Sequence, residues 1–137
     1  MDTQANVGRL YEAYAKWNDT KGSDLSMWDE YTTEDLCLRS LGDGQYGLEF
    51  SCARDGRAQM RAYLEELTGA FEMEHWTLQD TIAQDDRVVG MGVTAWTHKA
   101  SGKRVETRVV IICRFRGNRV CEYEELYDTA AVAAAAG

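Results

Sequence analysis

Proline is absent from this chain, histidine occurs twice, and the four cysteines form no CxxC pair. Without proline, every turn has to be made by Gly, Asn, Asp or Ser, so the glycines become punctuation. Cysteines at 37, 52, 113 and 121 and only two histidines give no spacing that supports a zinc site, and no metal or other cofactor is expected. No apolar run approaches a membrane span, and Met1 to Arg9 is polar, without the apolar core of a signal peptide. The thiols are therefore read as reduced and the chain as cytoplasmic. Basic residues are scattered apart from a mild cluster from Lys99 to Arg108, read as the solvated face of a strand. The formal net charge is −8. That charge repels polyanions, so neither nucleic acid nor an anionic membrane is expected as a partner.

What is present is the composition of an ordinary globular protein. The 137 residues are 45% hydrophobic and 28% charged, enough for one domain over 1–137 with a core of its own. Four Trp and seven Tyr supply large apolar surfaces with polar tips, which suits a core or a lined pocket.

Periodicity divides the chain into helices first and strands after. Val7, Leu10, Tyr11, Tyr14 and Trp17 lie on one face of a first helix, capped by Asp2 or Thr3 and ended by Asn18 to Gly22. A shorter helix carries Leu25, Trp28 and Tyr31 after a cap at Ser23 or Asp24. Asp35 to Leu41 reads as a short strand, and Gly42, Gly44 and Gly47 mark a loop. A third helix begins near Asp55, with the stripe Met60, Tyr63, Leu64, Leu67 and Phe71. Four strands follow: Met73 to Ala83, Arg87 to His98, Arg104 to Arg116 and Val120 to Tyr127. An Ala-rich tail from 129 to 137 forms a frayed helical turn. This order predicts an α+β fold: a curved antiparallel sheet, a cone-like half-barrel, packed on three helices around an apolar pocket.

The last two strands say most about the pocket. In the third long strand the odd positions, Val105 to Phe115, make the buried face, while the even face is charged at its ends and apolar at Val110 and Ile112. That outer patch suits a homodimer formed through the outer face of the sheet. In the last strand Cys121, Tyr123, Glu125 and Tyr127 share the more apolar face, which sets one carboxyl among cysteine and tyrosine. For odd positions to meet odd ones, a three-residue turn with Asn118 left-handed is assumed. A buried carboxyl is costly unless paired or neutralised, and burial raises its pKa towards the range a general acid or base needs. The plainer reading has Glu125 bonded to a tyrosine or sitting at the open mouth. His75 falls on the first long strand with Met73 and Thr77 on its face, and His98 lies beside a turn.

The ordered series of elements, with Tyr11-Glu12-Ala13-Tyr14, Asp86-Arg87-Val88-Val89 and the closing run from Cys113 through Val120 to Asp128, resembles the SnoaL-like and ketosteroid-isomerase members of the nuclear-transport-factor-two-like superfamily. Resemblance to ketosteroid isomerases implies acids at the positions of Ser40 and Ile111, where this chain has none, and an oxyanion tyrosine at Tyr14. Resemblance to polyketide cyclases implies an acid at Glu125 and a histidine at Ile111. Resemblance to scytalone-dehydratase-like members implies a paired Asp19 and His75. The resulting expectation is a cofactor-independent isomerase, cyclase or dehydratase acting on a small apolar organic ligand. Glu125, His75, Tyr14 and Asp19 are its candidate catalytic residues, and Trp17, Trp28, Ser40, Val109, Ile111 and Tyr123 its candidate contacts. A non-catalytic binding or dimerisation module of the same fold is the alternative.

Overall fold

Asp2 ends its side chain on the Ala5 backbone N–H, and from that cap helix α1 (Thr3–Asp19) runs. Leu10, Ala13, Tyr14 and Trp17 form its buried stripe, whereas Tyr11 turns outwards. The spacing of three, four and seven residues fixes that face, and burying its three large side chains contributes about 1.5–3 kcal/mol each. The computed structural model describes residues 2–137. After a 3-10 turn (Leu25–Met27) come α2 (Trp28–Tyr31) and β1 (Thr32–Ser40), three residues earlier than the sequence pattern implied. A loop leads to β2 (Arg54–Asp55) and α3 (Arg57–Ala70). Gly56, at φ +89°, stands at the N-cap of α3 instead of Asp55.

Strands β3 (Phe71–Gln84), β4 (Arg87–His98), β5 (Arg104–Arg116) and β6 (Arg119–Tyr127) pair in sequence as antiparallel neighbours. The sheet order is β2-β1-β6-β5-β4-β3, with β1 joining β6 in parallel. The β5–β6 connection departs from the expected turn. Gly117 takes the positive φ of +65° and Arg116 pairs Arg119, so the turn has two residues. A bulge then inserts Cys121 between the pairs Phe115–Val120 and Arg114–Glu122, which brings odd positions opposite odd ones after all.

Two further bulges bend β3, between Met73 and His75 and between Leu78 and Asp80. Beside them, Gly92 of β4 has no room for a side chain: an added Cβ would stand 2.2 Å from the Thr77 carbonyl oxygen. The curved sheet wraps α1 and α3, and the cone is closed by α4 (Thr129–Ala136). The tail is thus a full helix, capped by Asp128 on the Ala131 N–H, with Val132 and Ala135 buried. No described helix is long and apolar enough to cross a membrane.

Two substitutions check this account. Gly92→Ala should lower stability by about 1–3 kcal/mol because a backbone atom must move; an unchanged urea midpoint would mean that β3 and β4 have slack. Asp128→Ala should cost about 0.5–2 kcal/mol through the lost cap, read in the same titration.

Candidate functional site

The cone encloses a cavity of about 100 Å³ between α1, α3, α4 and the concave face of the sheet. One water needs roughly 10–15 Å³ on this scale, so the space admits a ring-sized organic molecule. Its wall is aromatic and aliphatic, with Trp17, Trp28, Trp76 and Trp96 all reaching it. The aromatic rings support one another: Tyr14 stacks on Trp76 at 4.0 Å and meets the edge of Trp28 at 5.2 Å. Thr94 accepts the Trp96 indole N–H at 2.6 Å, which fixes that ring.

The polar end of the cavity is built on β6. Glu125 is 8% exposed, and the Tyr63 hydroxyl donates to its Oε1 at 2.6 Å from α3. The hydroxyls of Tyr14 and Tyr123 lie 2.8 Å apart, and those of Ser40 and Tyr127 2.7 Å apart. Burial pushes the Glu125 carboxyl above its ordinary range, while the hydroxyls of Tyr63, Ser40 and Tyr123 pull it part of the way back. The phenols of Tyr14, Tyr63 and Tyr123 are pushed up, chiefly by burial, and remain protonated donors. A buried carboxyl whose hold on its proton is raised, beside fixed donors, has the chemistry of a group that takes up and returns a proton. Among the described residues, no cluster of three His, Cys, Asp or Glu side chains is arranged to hold a metal ion.

Tyr14, Trp17, Trp28, Val109, Tyr123 and Glu125 line the cavity. Ser40 and Ile111 do not. They stand in register with Glu125 on either side of it, Ser40 on β1 and Ile111 on β5. The acid is therefore carried by the strand between the two positions where the ketosteroid-isomerase resemblance implies acids.

The expected Asp19–His75 pair is not formed. The β3 bulge at Glu74 flips the alternation, so Trp76 points into the cone. His75 turns to the outer face, beside Thr77 at 3.2 Å and Glu106 at 3.7 Å. Asp19 is exposed at the end of α1; its neighbour Asn18 touches β3 instead, accepting the Trp76 backbone N–H.

Tyr63, Tyr127, Trp76 and Trp96 belong to the site without having been singled out for it. A tyrosine within the apolar stripe of α3 was the available signal for Tyr63, since a buried hydroxyl requires a partner. Nothing in the sequence marks the bulge that brings Trp76 inwards.

The cone has counterparts among known structures. An NTF2-like protein of Burkholderia xenovorans is 23% identical, with 100% of this chain and 99% of that one covered and a TM-score of 0.80. TerC, co-crystallised with polyporic acid, is 22% identical over 96% and 98% of the two chains, with a TM-score of 0.82. A protein of ketosteroid isomerase-like fold from Catenulispora acidiphila, in complex with trimethylamine, is 16% identical over 92% of each chain, with a TM-score of 0.75. These likenesses establish the fold alone. No curated protein matches the sequence. Residues 7–123 match the SnoaL-like domain, so the chain belongs to the SnoaL-like family.

Proposed function

We propose that the protein binds a small, largely apolar ring compound in the cone and moves a proton on it, with Glu125 as general base and acid. The observation that carries this reading is the Glu125 carboxyl, buried at one end of an otherwise apolar cavity and met by tyrosyl hydroxyls. Small molecules bound to relatives of the same fold, trimethylamine in one and polyporic acid in another, support such an occupant.

Tyr63 holds Oε1, and Oε2 takes a proton from a carbon beside a ligand carbonyl. The electron pair moves to the carbonyl oxygen, where the hydroxyls of Tyr14 and Tyr123 meet the developing charge. Return of the proton from Glu125 to a different carbon isomerises the ligand. Attack of the enolate carbon on a second carbonyl closes a ring, the new alkoxide taking the proton back from Glu125. When a β-hydroxyl leaves instead, it takes that proton and departs as water, and the electron pair forms the carbon–carbon double bond. All three outcomes share the first step, which needs only the base, the donors and exclusion of water. His75 and Asp19 take no part in this scheme.

We further infer that two copies pair through the outer face of the sheet. Met91 lies against Val110, Val89 against Ile112, and Val110 against Leu126, a contiguous apolar patch left half-buried in the single chain. Val110→Arg should shift the mass in solution from dimer to monomer; light scattering that gives the parent a monomer mass would reject the pairing.

Deuterium exchange at the carbons flanking the carbonyl of 2-indanone, followed by NMR in D₂O, reads the shared first step for any ligand of this class. The parent should accelerate exchange, and Glu125→Gln should reduce the acceleration about 10²- to 10⁴-fold with the fold intact. Binding without exchange in the parent would favour the non-catalytic module.

The rate should rise with pH through a value above the ordinary glutamate range, because the ionised form is the base. Tyr63→Phe removes a donor that favours that form, so its profile should move to still higher pH. The stability effect has the opposite sign. A carboxyl raised in the folded chain binds its proton more tightly there. Its contribution is whole below the ordinary carboxylate range and is lost as pH rises through the raised value. Glu125→Gln should flatten that part of the stability curve, measured by urea titration across pH.

A further inference from the structure

Among the described residues, the wall of the cavity contains no lysine, arginine or histidine, and its one carboxyl is that of Glu125. The cations packed nearby are already engaged elsewhere. Arg54, itself buried, is paired with Glu66. Arg57 and Arg61 face Asp29, and His75 faces Glu106 on the outer side of the sheet. The positive end of α4, which starts four residues after Glu125, is occupied by the Asp128 side chain. The described wall therefore offers no counter-ion to an anionic guest; the imidazole nearest it, His98, lies behind the Phe71 ring and is bonded to Ser101.

A carboxylate or phosphate entering this space would lose its hydration against aromatic carbon and face the charge of Glu125 with no compensating cation. Removing an ion from water uncompensated costs several kcal/mol even after relaxation. An ammonium guest meets the opposite difficulty. It would pair with Glu125 and hold it ionised, but taking both charges out of water offsets the attraction between them, and the ammonium would occupy the one oxygen that must reach a carbon-bound proton. The groups that remain, the hydroxyls of Tyr14 and Tyr123 and the indole and phenol rings, suit carbonyl or enol oxygens on an aromatic or alicyclic frame.

Resting on the proton-transfer reading of the same site, we infer that the cavity selects an uncharged ring ketone or enol and rejects its carboxylated congeners. The cavity is thus a charge filter, in which specificity comes from the absence of a cation as much as from any contact made.

Calorimetric titration at neutral pH with four probes of one frame tests this: 2-indanone, indane-2-carboxamide, indane-2-carboxylate and 2-aminoindane, each against the parent and Glu125→Gln. The ketone and the carboxamide should bind. The carboxylate, almost the same shape as the carboxamide, should bind at least about a hundredfold more weakly, the consequence of one desolvated and unpaired charge. In Glu125→Gln that gap should narrow but persist, because the wall still offers no cation. The protonated amine should bind no more tightly than the ketone. A carboxylate within tenfold of the carboxamide overturns the inference, as does an amine that binds best. Binding of none of the four overturns it as well. Deuterium exchange on the 2-indanone separates this result from the reaction: a rejected carboxylate without exchange upholds the filter and removes the chemistry, whereas exchange with an accepted carboxylate does the reverse.

Discussion

A carboxyl group held out of water among tyrosines is the constraint on which this structure turns. Left alone, the buried carboxyl of Glu125 would cost several kcal/mol. Two strands and two helices therefore converge to supply what water no longer does. α3 delivers the Tyr63 hydroxyl, α1 delivers Tyr14 to the hydroxyl of Tyr123, and β1 places Ser40 in register beside the acid. The hydroxyls of Tyr63, Ser40 and Tyr123 stabilise the ionised form, and burial opposes it. The two effects oppose each other, and burial is the larger, so the carboxyl holds its proton to higher pH than an exposed glutamate does.

That arrangement depends on a bent sheet. A flat one would leave β6 too far from α3 for Tyr63 to reach Oε1. The bend is produced by small irregularities: two bulges in β3, the extra Cys121 in β6, and the close passage of Thr77 over Gly92. Bulges also decide which side chains face inwards. One residue added at Glu74 exchanges an imidazole for an indole in the cavity wall, a change of chemistry produced by register alone.

The strands, the helices and the inward face of β6 were legible in the sequence because hydrophobic alternation and stripes record burial directly. Glu125 could be found for that reason: it is the one carboxylate on a face otherwise apolar or aromatic. His75 was misplaced for the same reason, since simple alternation from Met73 points it inwards and only the bulge turns it out. The tail was underestimated because alanine shows no stripe. Asp128 as a cap, with Val132 as the one large side chain after it, was the signal of a closing helix. The parallel pairing of β1 with β6, and with it the meeting of Ser40 and Glu125, is a long-range contact that no local pattern encodes. The SnoaL-like resemblance carried the architecture; of the residues it implied, Glu125 and Tyr14 line the cavity, whereas Asp19 and His75 lie away from it.

The cavity wall has one consequence for how the molecule can be observed. The chain holds four tryptophans, and all four reach that wall. Indole emission responds to the polarity and quenching groups around it, so the intrinsic fluorescence of this protein originates almost wholly from the walls of the cavity. Occupancy of the cone is written into the light the protein emits, with no label attached.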